Sequence, residues 1–245
     1  MKALILAAGY ATRMYPLTEN QPKPLLKVRD TSIIEHIIRQ INHIKEIEEI
    51  FVVTNARFYD HFVHWLKEAQ FDKTKVTLVN DQTLTKEDRL GAIGDIQFVL
   101  REKNVSEDLL ILGGDNLFTE KLDLFIRTFN ICGGSLIALN DVQKKELAKL
   151  YGIVTLDQSK RIIKFTEKPA EPESTLASTL IYALKKEHLL LLPEAIKAGA
   201  ADRTGDFIKY LSERKPVYGH QLSGTWFDIG SFEQLKEAEK SFNFN

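Results

Sequence analysis

The sequence predicts an α/β fold, a mostly parallel mixed sheet with crossover helices and a small antiparallel addition in its second half. Three observations predict it. The chain opens on a short apolar run, Ala3 to Leu6, that ends in the small residues Ala7, Ala8 and Gly9. Strand-like runs then alternate with amphipathic helical stretches as far as Leu112, the spacing of parallel strands joined by helices. Past residue 150 the pattern changes to a hairpin.

Each element has its own warrant. Ser32 and Glu35 have capping-box spacing, and Ile33, Ile34, Ile37, Ile38, Ile41 and Ile44 trace one apolar face. His36 and His43 fall on the polar side of that helix. Ile50 to Val53 reads as a buried strand. Phe58, Phe62, Leu66 and Ala69 mark the next helix, and Val76 to Val79 the next strand. Leu90 to Glu102 is helical with Ile93, Ile96 and Leu100 inward, and Leu109 to Leu112 is a strand ending at Gly113-Gly114-Asp115-Asn116. Leu122 to Ile131 reads as a helix and Ser135 to Leu139 as a strand. Gly152 to Leu156 and Arg161 to Phe165 pair across Asp157-Gln158-Ser159-Lys160. Thr179 to Leu184 is a strand, and Lys185 to Ala198 a helix interrupted by Pro193. Helices over 207–214 and 232–242 and short strands near Val217 and Trp226 complete the chain.

Composition narrows the function classes. At 245 residues the chain is long enough for a sizeable core and reads as one domain, 1–245. A formal net charge of −1 gives no basic field to recruit nucleic acid, so any anionic ligand is held by local charge. The single Cys132 excludes an internal disulfide and suits a reducing compartment. No apolar run approaches the ~20 residues of a membrane span. The opening run lacks the charged region of a signal peptide and leads directly into charged, proline-rich sequence. The expected setting is cytoplasmic, with neither nucleic acid nor membrane as partner.

The residues that carry chemistry cluster at predicted strand ends. Ala7, Ala8 and Gly9 let the backbone approach a ligand and present its N–H groups. Arg13 follows, and Lys23 lies between Pro22 and Pro24, which stiffen its backbone. Main-chain donors with one Arg and one Lys on a loop leaving a strand describe a polyphosphate cradle, although a solvated loop fits the spacing equally well. Asp115 after two glycines suits either a Mg²⁺ ligand or a turn-forming acid. Asp228, between Phe227 and Ile229, is costly unless it is paired, metal-bound or capping the helix that begins near Ser231. In an open α/β sheet ligands sit beyond the carboxyl ends of the strands, which gathers Gly9, Asn80 and Asp115 on one rim. His61 and His64 share a helix face and read as a solvated pair, and Cys132 as a small core residue.

The stretch from Leu4 to Leu26 resembles the signature of the sugar-1-phosphate nucleotidylyltransferases, approximately L-x-A-G-x-G-T-R-x-x-P-x-T-x-x-x-P-K-P-L. It matches at Leu6, Ala8, Gly9, Thr12, Arg13, Pro16, Thr18, Pro22, Lys23, Pro24 and Leu25, and departs at Ala11, where the family has its second glycine. Gly114-Asp115-Asn116 resembles the family's metal aspartate, and Trp226-Phe227-Asp228-Ile229-Gly230 its W-x-D-x-G, with the second metal aspartate. Phe165-Thr166-Glu167-Lys168-Pro169 resembles the E-K-P element, whose Glu accepts from sugar hydroxyls and whose Lys contacts the sugar phosphate. Gln82 matches the base-contacting Gln and Gly91 its glycine, across a longer and more charged segment, Thr83 to Leu90. The T-G-L-Y strand appears as Ser178-Thr179-Leu180-Ile181, with Thr179 for glycine. Arg203 aligns as a further sugar-phosphate contact. Four motifs in family order span nearly the whole chain.

The resemblance implies a Rossmann-like three-layer α/β/α nucleotidyltransferase fold, with a nucleotide-binding half over about 1–120 and a sugar-phosphate half over about 121–245. It implies Mg²⁺ on Asp115 and Asp228, with Arg13 and Lys23 completing the catalytic set. Leu6, Ala8, Gly9, Ala11, Thr12, Arg13, Gln82 and Gly91 are expected on the nucleotide, and Asn116, Glu167, Lys168 and Arg203 on the acceptor. The expected reaction transfers a nucleotidyl group from an NTP, UTP or dTTP in preference to CTP, to a sugar 1-phosphate. An ionised phosphate is itself the nucleophile, so no general base is needed, and the sequence offers none. A non-sugar acceptor such as phosphocholine or a polyol phosphate is the near alternative, and an inactive nucleotide-binding regulatory protein the distant one. A homo-oligomer is compatible with either.

Overall fold

The structure, a computed structural model, describes residues 1–200 and 202–242. In chain order the strands are β1 (Lys2–Leu6), β2 (Lys27–Val28), β3 (Thr31–Ser32), β4 (Glu49–Thr54), β5 (Val76–Asn80), β6 (Leu109–Gly113), β7 (Asn116–Phe118), β8 (Ser135–Asp141), β9 (Gly152–Leu156), β10 (Ile162–Glu167), β11 (Leu176–Leu184), β12 (Val217–Gln221) and β13 (Trp226–Asp228). The helices are α1 (Ile33–Ile41), α2 (Tyr59–Glu68), α3 (Gly91–Glu102), α4 (Asp123–Ile131), α5 (Lys145–Ala148), α6 (Lys186–Leu189), α7 (Leu192–Lys197), α8 (Thr204–Ser212) and α9 (Phe232–Ser241).

Among the described residues nine strands share one sheet, whose main path runs β10-β9-β11-β6-β1-β4-β5, with β8 on β11 and β12 on β8. β1, β4, β5 and β6 are mutually parallel, whereas β11 is antiparallel to β6 and β8 to β11. β7 and β13 form a separate antiparallel pair. Alternate residues of β1 divide between two cores. Ala3 and Ile5 pack with α1, α2, α4 and α9, while Leu4 packs with α3, α7 and α8. Both faces of the sheet are therefore covered, which is why the parallel strands read as unbroken apolar runs. The arrangement is the three-layer α/β/α fold expected from the sequence.

Local chemistry explains the element ends. Ser32 caps α1 by accepting from Glu35 N at 3.4 Å. The isoleucines of α1 at 33, 34, 37, 38 and 41 are fully buried, each contributing roughly 1.5–3 kcal/mol of apolar burial. Two expectations need correction. His36 is not on a polar face. It is 5% exposed, its Nε2 lies 2.8 Å from Val28 O, and burial lowers its pKa. Val28 and the chain end, reaching Phe242, cover that side of α1. His43 is exposed and pairs with Asp123 at 3.0 Å. The stretch 185–198 is two helices, because Pro193 occupies the first turn of α7, where its missing N–H costs nothing.

Candidate active site

The parallel order of β5, β4, β1 and β6 brings their carboxyl ends together, and the loops after β1 and β6 lie side by side. Gly114 N donates to Leu6 O at 2.9 Å, and a Cβ on Gly114 would stand 2.6 Å from that oxygen. Only glycine permits this approach, which sets Asp115 against the first loop. Asn55 Nδ2 donates to Ala8 O at 2.9 Å from the end of β4. Ala11 has φ 46° and ψ 38°, the left-handed backbone for which glycine is suited. The loop keeps this shape because Ala11 O accepts from Met14 N at 2.9 Å and Thr18 Oγ1 at 2.8 Å.

The two acids converge. Lys23 Nζ lies 2.6 Å from Asp115 Oδ2. Asp228 ends β13 directly opposite Asn116 of β7, and Ile229 N donates to Asp115 O at 3.0 Å. Trp226 Nε1 donates to Asn116 Oδ1 at 2.6 Å, and Asn116 Nδ2 donates to Asp115 Oδ1 at 3.1 Å. Burial and then the Asp115 charge push the Asp228 carboxyl up to about 6, against the pull of Lys23, Arg13 and Lys168. Ser231, not Asp228, caps α9, accepting from Gln234 N at 3.3 Å. Burial and then Asp228 drive the Tyr151 hydroxyl up to about 12.

Two cavities meet at this point. The first, about 490 Å³, is lined by Leu6, Ala8, Gly9, Ala11, Thr12, Arg13 and Gly91 together with Tyr10, Asp81, Lys86, Arg89, Ala92, Asp95, Gly113 and Asp202. The second, about 190 Å³, is lined by Asn116, Glu167, Lys168, Arg203 and Asp228 with Tyr151, Phe165, Tyr182 and Trp226 among others. Asp115 and Leu180 line both. Lys23 lines neither and reaches the rim through Asp115. Gln82 is exposed, with φ 70° and its N–H given to Asn80 Oδ1 at 2.8 Å, and the neighbouring Asp81 takes the place in the wall.

In the second cavity burial raises the Glu167 carboxyl, and Lys168 and Arg203 oppose the rise. Arg203 Nη1 is 3.8 Å from Glu167 Oε1. The glycine-like position of the β11 strand is Leu180, at φ 58°, and not Thr179, which lies at the slip in pairing between β11 and β8 and donates to Ala138 O at 2.9 Å. Sequence reasoning missed Asp81, Asp95, Tyr10, Tyr151 and Tyr182. For Asp95 a signal existed: an acid set beside Ile96 on the inward face of a helix. Tyr182 carried none, since an aromatic residue in a strand reads as core, and Tyr10 and Tyr151 lie outside the strands with no pattern to mark them.

Among the described residues no group of three or more His, Cys, Asp or Glu side chains is arranged to hold a metal ion. Two carboxylates with substrate oxygens are nonetheless a sufficient donor set for Mg²⁺, which binds by few protein ligands. No helix among the described residues is long and apolar enough to cross a membrane.

Comparison with known proteins bears on the fold and the family. The bifunctional protein GlmU of Methanococcus maripaludis (strain C7) is 32% identical over 247 residues, covering 99% of this chain and 54% of that protein. GlmU of Methanocaldococcus jannaschii is 28% identical over 244 residues, with 98% and 54% covered. The chain thus spans about half the length of the curated relatives it matches. A Bacillus anthracis protein assigned as a glucose-1-phosphate thymidylyltransferase, crystallised with sucrose, superposes with a TM-score of 0.85 at 24% identity, covering 100% of this chain and 97% of that one. A UDP-glucose pyrophosphorylase complexed with UDP-glucose gives 0.83 at 20% identity, with 98% and 97% covered. At that identity these two likenesses speak for the fold. The family model described as nucleotidyl transferase matches residues 2–243, and the chain belongs to that family.

Proposed function

We propose that this chain transfers a nucleotidyl group from an NTP to a sugar 1-phosphate and releases pyrophosphate. The observation that carries the reading is the meeting of two cavities at Asp115, beside Asp228 and with Lys23 2.6 Å away. One cavity carries the loop of β1 with its main-chain donors and Arg13, the other carries Glu167, Lys168 and Arg203. A triphosphate in the first and a phosphate in the second would bring their reacting ends to the shared acid. An acceptor phosphate oxygen attacks the α-phosphorus, the bond to the β-phosphate oxygen breaks, and pyrophosphate leaves with that electron pair.

The barrier is largely electrostatic. Two like charges ~4 Å apart at an effective dielectric of ~20 repel by about 4 kcal/mol. Arg13, Lys23 and Lys168 supply positive charge on both sides of the junction, fixed before substrate arrives. Asp115 and Asp228 fit Mg²⁺, since both offer hard oxygen ligands and the crowding that raises Asp228 is relieved by a cation. The ion supplies further neutralisation of phosphate charge when bound. Glu167, half-buried, is suited to accept from acceptor hydroxyls. Among the partners, the resemblance favours UTP or dTTP.

The test is pyrophosphate release with Mg²⁺ over a matrix of the common NTPs against sugar 1-phosphates, phosphocholine and polyol phosphates. Release that depends on a sugar 1-phosphate supports the reading. Release with a non-sugar phosphate alone transfers it to that acceptor class, and tight NTP binding without any release refutes catalysis.

A further inference from the structure

Leu180 stands with Asp115 in the walls of both cavities, and its φ of 58° is an outlier for so bulky a residue. The pairing of β11 sets that shape. Ser178 lies opposite Leu139 of β8 and Tyr182 opposite Ile137, so three residues of β11 face the single Ala138. Thr179 Oγ1 donates to Ala138 O at 2.9 Å, and the hydroxyls of Ser178 and Tyr182 lie 2.7 Å apart across the slip. On its other edge β11 is back in register with β6 at Ile181, opposite Leu112, which leaves Leu180 beside Gly113 at the carboxyl end of β6.

The Leu180 side chain reaches the corner where the cavities meet. A Cβ built on Gly113 would stand 3.0 Å from Asp115 Oδ1 and 3.5 Å from Leu180 Cδ1, so carboxylate and methyl converge on one point. Leu180 is half-buried, and with Leu6 it packs against the core beneath α3 and α8. The edge common to both walls is thus one carboxylate and one isobutyl group. A strained bulky residue persists only where its surroundings hold it, and glycine would take the same backbone without strain. What leucine adds there is an apolar surface.

We propose that Leu180 keeps water out of the junction, so that the acceptor phosphate and not water receives the nucleotidyl group. This rests on the nucleotidyl-transfer reading above. The positive charge that neutralises a triphosphate aids any oxygen nucleophile, water included. A water at the junction would attack the α-phosphorus, the bond to the β-phosphate oxygen would break, and pyrophosphate would leave with that electron pair. The products would be a nucleoside monophosphate, pyrophosphate and one proton released to solvent. An ordered water is held by a few polar partners, and an isobutyl group provides none. Excluding it protects the triphosphate until the acceptor arrives.

The test is the rate of nucleoside monophosphate formation, with Mg²⁺ and without acceptor, from the NTP that the wild type transfers best. Transfer to a sugar 1-phosphate is measured alongside. Leu180→Gly is expected to raise the acceptor-free rate at least threefold. Leu180→Asn keeps nearly the same volume, tolerates the left-handed backbone and offers water a partner, so it is expected to raise that rate as well. A residue that only fills the bulge would, when removed, lower this rate along with transfer. A smaller rise or a fall in folded Leu180→Gly overturns the proposal. Should Leu180→Gly fail to fold, the same threshold applies to Leu180→Asn. Wild-type protein that forms the monophosphate as fast as it transfers overturns this proposal alone, whereas a wild type that transfers to no acceptor overturns the transfer reading and this proposal with it.

Discussion

Lys23 Nζ and Asp115 Oδ2 lie 2.6 Å apart although 92 positions separate them in the chain. Both side chains are largely covered, so the pair is screened less than a surface ion pair. Removing the amine leaves Asp115 facing Asp228 with less compensation. Lys23→Ala is expected to lower kcat/KM for pyrophosphate release by about 10²–10³, the cost of losing one preorganised electrostatic contact. Thermal melting should move by no more than about 4 °C, the equivalent of ~1 kcal/mol or a little more. Near-normal turnover in folded Lys23→Ala would remove Lys23 from the machinery.

Asp228 sets a pH dependence whose sign is fixed. Its native pKa, about 6, is above the usual 3.8. Between those values the native state holds more proton than the unfolded chain, so this group's contribution to stability falls as pH rises from about 4 to about 6. Asp228→Asn is therefore expected to stabilise the metal-free protein at pH 7 by roughly 1–2 kcal/mol, and less at pH 5. The rise in Tm produced by Mg²⁺ should be present at pH 7.5 in the wild type, shrink toward pH 5 as Asp228 protonates, and be lost in Asp228→Asn. Calorimetry at two pH values, with and without Mg²⁺, measures both. A Mg²⁺ response unchanged in Asp228→Asn places the ion elsewhere.

Trp226 acts at one remove. Its indole N–H holds Asn116 Oδ1, and Asn116 holds Asp115 Oδ1. Trp226→Phe keeps most of the apolar contact with Tyr151 but frees Asn116 to rotate. Turnover at saturating substrate is expected to fall about tenfold, with the NTP dissociation constant changed less than twofold, because the loss falls on orientation of the acid. If KM for the NTP rises and kcat holds, Trp226 is a packing residue only.

Ala11 carries backbone strain that glycine does not. A left-handed residue with a Cβ costs about 1–2 kcal/mol, of which Ala11→Gly recovers part because glycine has more unfolded-state freedom to lose. The variant is expected to gain about 0.5–1 kcal/mol and to melt ~1–3 °C higher. Ala11→Val, β-branched at the same φ of 46°, should lose stability instead. Equal melting temperatures for the three proteins would show that this loop relaxes away from the left-handed shape.

The residues of the first loop and of the two acids could be read from sequence because their signals are local. Gly9, Arg13 and Asp115 closely follow a strand that declares itself by a contiguous apolar run, and Lys23 is marked by the prolines on either side of it. The chemistry at Asp81 and Asp95 could not be read this way. Asp81 looks like a surface acid, and the place of Asp95 beside Ile96 shows only that it faces inward; that the two share one wall follows from the packing of β5 against α3. His36 was misplaced for the same reason, since what covers it comes partly from residues some two hundred positions away. The sign of φ at Ala11 and Leu180 is likewise set by hydrogen bonds and by a slip in strand pairing, which side-chain identity alone does not encode.

By itself, then, the sequence determined the alternation of strands and helices, the order of the motifs and the kinds of charge available for phosphate chemistry, because periodicity and residue type are properties of neighbouring positions. Only the tertiary structure decided that Asp115 and Asp228 share one junction, that Lys23 pairs with Asp115, and that Asp81 in place of Gln82 faces the larger cavity. Those facts depend on which strands become neighbours and which groups are dried by packing. The free energy of a charge follows its surroundings in space, whatever lies beside it in the chain.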